Sequence, residues 1–459
     1  MDPIRADRLA GGVAPLLDPI ALAGADPAVQ SAHPARDDPP RVLLLFDHDW
    51  DADGHARSAH RYRFVRDGFD LFRLPSALRL ATFDLDRFVD ALCRRHGDGL
   101  AAVVSNHEQF GALAAAMVAR RLGLPGTAPE AIVACQHKLH CRQVLERVAP
   151  EANLPCFLLP WTLGEPPPEG LRYPLFVKPV KAAYSVLARR VDDRDALAGH
   201  LRFGPLETVL IRRLVRPFDR AARRLTSIEV DAHRMIAERP VSAPQYNLDG
   251  YVHRGEVRCI GVVDEVMYPG TQAFLRFQYP STLDPDVQAR AFEVARRFLR
   301  AVGFEHGFFN MEFFHEPADG SVRVIEFNPR LGSQLADLYR RVDGIDLHAM
   351  NLALACGRDP RDLPRAACRD GAAASFVFRS FDGATPPRQP DAARRDALAR
   401  TFPDALLLGM PRRGRALARE YKWLGSHRYG VLHLGAADPA ALRERYAAAC
   451  RVLGWPASA

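Results

Sequence analysis

Apolar residues along this chain follow two periods that alternate. "RVLLLFDHD" (41–49) and "LAAVVSN" (100–106) contain unbroken apolar runs of strand length. Between them, "DLDRFVDALCRRHG" (84–97) puts Phe88, Leu92 and Cys93 on one side of a helix that Gly97 stops. "EQFGALAAAMVARRLGLPG" (108–126) predicts a second helix. Strands alternating with helices imply a parallel α/β layer. "ACQHKLHCRQVLERVAP" (134–150) reads as one helix stopped by Pro150, and "PLFVKPV" (174–180) as a strand. "DDRDALAGHLRFG" (192–204) opens with acids suited to a helix N-terminus.

The period then changes. Residues 233–267 carry strand-like runs broken by Pro, Asp-Gly and Arg-Gly, which predicts an antiparallel sheet. "DPDVQARAFEVARRFLRAVGF" (284–304) is an amphipathic helix, and "HGFFNMEFF" with "SVRVIEFNP" forms a hairpin around "PADG". "SQLADLYRRVDG" and "IDLHAMNLALACG" are helices closed by glycine. "EYKWLGSHRYGVLHLG" (420–435) reads as a strand pair. The fold class is therefore α/β and α+β. A flexible tail (1–40, rich in Ala, Pro and Asp) precedes an N-terminal parallel α/β domain (41–133). A larger α+β part (134–362) is expected to follow, and then an α+β segment (363–459) expected as a lid or substrate-side wall.

Composition narrows the partners. Hydrophobic content of 48% and charged content of 25% are ordinary for a soluble globular chain. No apolar run approaches the roughly 20 residues that span a bilayer, and Pro and Asp interrupt the apolar patches of residues 1–23, which do not read as a signal peptide, so no membrane and a cytoplasmic location are expected. The cysteines (93, 135, 141, 156, 259, 356, 368 and 450) show no paired zinc spacing. The net charge of +7 is spread along the chain without a nucleic-acid-binding motif, so no nucleic acid is expected. Lysine is scarce. Only Lys138, Lys178, Lys181 and Lys422 occur, against 58 arginines, 62 basic residues less four. A lysine retained against that bias suits a site where a compact point charge works and a planar fork does not, such as a tight phosphate site; Lys138 and Lys178 are read so, and Lys422 as chance.

The hairpin carries the chemistry. In "SVRVIEFNPR", Glu326, Asn328 and Arg330 share one strand face. "NMEFF" adds Glu312. Taken singly, either acid reads as a solvent-facing strand residue. Together with Asn328 they form an all-oxygen donor set of the kind Mg²⁺ or Mn²⁺ selects, and magnesium takes one or two carboxylates and leaves other positions to phosphate. Glu312 must then lie opposite Glu326. A two-residue turn at Asp319-Gly320 would put Glu312 on the wrong face, so an odd-length loop or a bulge near Pro317 to Gly320 is expected.

Glu, about a dozen residues, then Glu-x-Asn-x-Arg resembles the magnesium and substrate end of the ATP-grasp family. Other segments resemble the family in the same order, from about Ala134 to Gly357. "CQHKLHCR" is similar to its first nucleotide lysine, giving Lys138, and "LFVKPVKAAYSVLARRV" to the strand of its second, giving Lys178. "MIAERPVSAPQ" is similar to its hinge linker, where Glu238 and the backbone near Val241 would hold the adenine edge. Gln245 stands where a ribose-binding glutamate is frequent. "FQYPSTL" is similar to a substrate-side loop of amino-acid ligases in the family. The loop "KAAYSV", which would cover the phosphates, lacks glycine, and Ser185 is its candidate hydrogen-bond donor.

The resemblance implies two α+β subdomains clamping ATP. It also implies a ligase that converts a carboxylate to an acyl phosphate and couples it to an amine, releasing ADP and phosphate. Glu312, Glu326 and Asn328 would hold one or two Mg²⁺ (or Mn²⁺) ions, and Arg330 would grip the acyl substrate as the catalytic residue. The partners implied are small, amino-acid-like carboxylate and amine substrates, with a homodimer left open. Bicarbonate activation of the biotin-carboxylase kind and a non-catalytic nucleotide-binding module are the alternatives.

Overall fold

A computed structural model of the chain describes residues 38–69, 82–159, 169–182, 187–383 and 387–457. Ser185 lies outside them, as do residues 1–37 of the N-terminal tail.

The first layer is a parallel sheet in the order β2-β1-β3, built from β1 (Arg41–Leu45), β2 (Arg63–Asp67) and β3 (Leu100–Val104). The helix Leu85–His96 faces it with Leu85, Val89 and Leu92 buried. Phe88 and Cys93, expected on that stripe, are only half-buried at its edge. The helix Gly111–Leu122 ends at Gly123, whose φ of 64° closes it in the left-handed conformation. That helix starts three residues later than "EQF" suggested, so Glu108 and Gln109 belong to the loop after β3.

"ACQHKLHCRQVLERVAP" is not one helix. The helices Pro129–Gln136 and Lys138–Val148 meet at His137, whose extended backbone breaks the run. The His137 side chain accepts from His140 N and caps the second helix, leaving Lys138 in its first turn. The first of these helices crosses the boundary expected at 133/134.

A second sheet, antiparallel, has the order β4-β7-β5-β6, from β4 (Cys156–Leu158), β5 (Leu175–Pro179), β6 (Arg189–Val191) and β7 (Met235–Glu238). The basic helix Pro205–Leu225 lies between β6 and β7 and keeps Pro217 in its interior. The third sheet is the largest. It has eight strands in the order β12-β11-β8-β9-β10-β13-β15-β14. These are β8 (Gln245–His253), β9 (Glu256–Met267), β10 (Phe274–Tyr279), β11 (Gly307–Glu316), β12 (Ser321–Asn328), β13 (Ala372–Ser380), β14 (Leu406–Gly409) and β15 (His427–Ala436). The C-terminal segment therefore extends the same sheet from β10 outward. "EYKWLGSHRYGVLHLG" is not a strand pair, because "EYKWL" ends the helix Gly414–Leu424 and only the second half is β15.

The loop after β1 is tied to the helix Leu347–Ala355 by a buried polar cluster. His348 Nε2 lies 2.9 Å from Asp51 Oδ1, and Asn106 Nδ2 donates to the same oxygen at 3.0 Å. Gly54 makes this approach feasible, since a Cβ there would lie 2.2 Å from His348 Cγ. Gly54→Ala is therefore expected to destabilise the protein by roughly 1–3 kcal/mol, as overpacking does. A shift of the urea midpoint to lower concentration checks this, and an unchanged midpoint contradicts it.

Candidate functional site

The hairpin of β11 and β12 pairs Glu312 directly with Glu326 and Asn310 with Asn328. The expected odd-length or bulged turn is absent: Glu316 pairs with Ser321 across the four-residue loop 317–320. The register shift comes instead from a bulge inside β12, where Ile325 is the extra residue. Buried cations stabilise this bulge. Arg142 donates to the carbonyls of Val324 (2.6 Å) and Ile325 (3.0 Å), and Lys178 Nζ donates to that of Ile325 at 3.4 Å.

The sequence-predicted residues gather around this hairpin. Lys138 Nζ is 2.9 Å from Glu326 Oε2 and donates to the carbonyl of Ala182 at 3.0 Å. Lys178 Nζ is 2.8 Å from Glu238 Oε2, and Arg142 Nε is 2.7 Å from Glu238 Oε1. Gln245 Nε2 donates to Glu312 Oε2 at 3.3 Å, and Asn328 Nδ2 donates to Glu312 Oε1 at the same distance. Arg330 Nε lies 3.0 Å from Glu108 Oε2. Val241 sits in the loop between β7 and β8, half-buried. The Glu238 carboxylate, expected at an adenine edge, is turned to Arg142 and Lys178 and is almost fully buried.

The electrostatics follow from burial. Burial opposes the charge of Glu326, but Lys138 and Lys178 outweigh it and hold its carboxyl below the usual range. Glu312, opposite, is pushed up by burial and by the charge of Glu326. Lys178 is lowered by burial, with Arg142 and Lys138 adding, while Glu238 counteracts them. Lys138 is raised, because Glu326 more than offsets burial. Glu265 Oε2 is buried on the same face with no hydrogen-bond partner among the described residues. Two carboxylates in register with an amide, all oxygen donors, fit a hard divalent cation.

A polar ladder supports the donors from behind. Asn328 Nδ2 donates to Asn310 Oδ1 at 3.2 Å, and Asn310 Nδ2 donates to Asn247 and to Asp249 Oδ1, the latter at 2.9 Å. Tyr339 OH donates to Asp249 Oδ2 at 2.9 Å. Burial raises the Asp249 carboxyl from 3.8 to about 6, against the hydrogen bonds from Asn310 and Tyr339. A raised acid holds its proton more tightly in the folded state. Its contribution to stability is fully present below pH 3.8 and is lost as pH rises through about 6. Asp249→Asn has no such loss, so the wild type should lose ground to this variant between those pH values and keep a constant difference above them. Parallel urea titrations across that range check the slope, and a constant difference throughout contradicts it.

Sequence reasoning missed Arg142, Glu108, Lys181 and the acceptor ladder. Arg142 lies one helical turn after Lys138 on the same helix, but among 58 arginines nothing marks it. Glu108 was hidden by an apolar pattern that ran the helix through it. Lys181 was visible only through the scarcity of lysine.

The architecture matches solved structures along nearly its whole length. An L-amino acid ligase from Bacillus licheniformis superposes with a TM-score of 0.63 at 16% identity, over 90% of this chain and 97% of that one. The chain has the ATP-grasp fold. An N5-carboxyaminoimidazole synthase from Aspergillus clavatus, solved with ADP and an aminoimidazole ribonucleotide, matches with a TM-score of 0.59 at 14% identity, over 91% and 99% of the two chains. A biotin carboxylase from Campylobacter jejuni matches at 0.56 and 16% identity, over 90% and 91%. In sequence, carnosine synthase 1 of Gallus gallus is 39% identical over 105 residues, 23% of this chain. The uncharacterized protein y4rH of Sinorhizobium fredii is 28% identical over 303 residues, 65% of this chain. The matched regions span 11% and 58% of these two curated relatives. No family model matches the chain. This ATP-grasp fold is the one that amino-acid ligases and N5-carboxyaminoimidazole synthases share. None of its described helices is long and apolar enough to cross a membrane.

Proposed function

We propose that the protein is an ATP- and Mg²⁺-dependent carboxylate–amine ligase. The observation that carries this reading is the register of the hairpin: Glu312 opposite Glu326, Asn328 two residues on, and Lys138 on Glu326. Phosphoryl transfer needs positioned charge rather than a protein nucleophile, and this face offers charge of both signs. In this reading residues 134–362 form the ATP-grasp part, 41–133 the domain before it, and 363–459 the substrate-side wall.

Glu312, Glu326 and Asn328 would hold the divalent cation. When bound, the cation neutralises charge on the β- and γ-phosphates. Lys138 and Lys178 add positive charge beside the phosphates. Ser185 would donate to them from the covering loop. The adenine edge falls to the backbone around Val241, since the Glu238 side chain is occupied, and Gln245 faces the ribose. Arg330 orients the substrate carboxylate by a two-pronged contact and stabilises the oxyanion that forms when the amine attacks. The carboxylate attacks the γ-phosphorus, ADP leaves, and the amine then replaces phosphate at the acyl carbon.

Amino-acid-like substrates are favoured by the likeness to an L-amino acid ligase. Purified protein with ATP, Mg²⁺ and a matrix of carboxylates and amines should release phosphate only where both are present, with an amide of matching mass. A carboxylated product formed without amine would favour bicarbonate activation instead.

A further inference from the structure

Lys181 has no task in the reaction as described, yet it is placed inside the site. It is buried, and its Nζ donates to the carbonyl of Glu108 at 3.1 Å and lies 3.4 Å from Glu108 Oε1. The ammonium sits 5.4 Å from the centre of the Phe218 ring. The other carboxylate oxygen of Glu108 is the one 3.0 Å from Arg330 Nε. Gln136 Nε2 donates to both the carbonyl and Oε1 of Glu108, at 2.8 Å each. One buried carboxylate on the loop after β3 thus stands between Arg330 and Lys181.

That arrangement poses a problem of charge. On the reading of Arg330 as the acyl-substrate grip, on which this inference rests, an incoming carboxylate competes with Glu108 for the guanidinium. A buried carboxylate that loses its only cation is costly. Lys181 stays on the same carboxylate from the other side, so Arg330 can be released without leaving Glu108 uncompensated. A lysine suits this position, because a compact charge on a thin stem reaches a buried carbonyl and carboxylate where a planar fork would crowd.

We propose that Lys181 is a positioning residue: it retains Glu108 as the substrate carboxylate takes over Arg330, and so sets the affinity for the acyl substrate. Without Lys181, Glu108 stays locked on Arg330. Without both, Arg330 is open to substrate again. The contribution is thus conditional on Glu108, which a general loss of structure would not reproduce.

The test is a double-mutant cycle on the full chain. The probe is whichever of the twenty common amino acids gives the fastest phosphate release from the unaltered protein. Lys181→Met is expected to raise the KM for that amino acid by about tenfold or more, with the KM for ATP changed by less than about twofold. Adding Glu108→Gln should return the amino-acid KM to within about threefold of the starting value. A raised ATP KM in Lys181→Met, or no recovery in the double variant, would overturn the proposal. If Lys181→Met fails to fold, Glu108→Gln alone decides. An equal or lower amino-acid KM supports the proposal, and a rise like that of Arg330→Ala overturns it. If the unaltered protein releases no phosphate with any carboxylate, the ligase reading itself fails, which is a separate outcome.

Discussion

Glu326→Gln is expected to lower carboxylate-dependent ADP release by at least about a hundredfold, the scale of losing one preorganised charge contact in a phosphoryl-transfer site. The change keeps size and hydrogen-bonding capacity and removes only charge. That charge faces Glu312 across the hairpin and Lys138 at 2.9 Å. With glutamine there, the proposed divalent cation would lose one of two carboxylates, and Lys138 would lose its paired charge at 2.9 Å. Arg330→Ala is expected to fall as far, because in this reading Arg330 is the two-pronged donor for the substrate carboxylate, while Arg323, the arginine within β12, is turned to the carbonyl of Glu151. A coupled ADP assay at saturating ATP and Mg²⁺ measures both. Near-wild-type release by either variant would refute the role given to that residue.

Arg142→Ala should cost about 3–5 kcal/mol of stability, the penalty for breaking a buried ion pair from one side. Arg142 holds Glu238 at 2.7 Å and the carbonyls of Val324 and Ile325 at 2.6 and 3.0 Å, with its side chain 3% exposed. Its removal leaves Glu238 dependent on Lys178 alone and the bulge in β12 without its main donor. An exposed arginine gives the contrast: Arg190, paired with Asp192 at the surface at 2.7 Å, should cost at most about 1 kcal/mol when replaced by alanine. Denaturant unfolding of the two variants should separate them clearly. A loss below about 1 kcal/mol for Arg142→Ala would contradict the structural role given to it.

Much of this site could be read from the chain because strand alternation is a local rule. It put Glu326 and Asn328 on one face, and the need for a shared face placed Glu312 opposite; Arg330, expected on the same face, lies instead in a bend after β12 ends at Asn328, where its N–H donates to the Asn328 carbonyl. The same rule could not locate the bulge. Ile325 looks like any apolar strand residue, and what bends the strand there is Arg142, distant in sequence. Lysine scarcity pointed to Lys138 and Lys178 but gave Lys181 no role, since its partner Glu108 comes from the loop after β3, distant in sequence. Helix-period reasoning joined two helices across His137, because a break made by a capping side chain leaves the apolar spacing intact. The parallel layer and the antiparallel region were legible from their periods. That the C-terminal strands extend the same large sheet was not, since pairing between β10 and β13 is a tertiary choice.

The central claim is that a carboxylate becomes an acyl phosphate. The most direct measurement follows oxygen. The protein is incubated with ATP, Mg²⁺, and an equimolar mixture of the common amino acids labelled with ¹⁸O in their carboxylates, which supply both acyl donor and amine. The account predicts that each phosphate released carries one ¹⁸O transferred from a carboxylate, with ADP as the nucleotide product. Phosphate free of label, or label appearing in AMP, would contradict it.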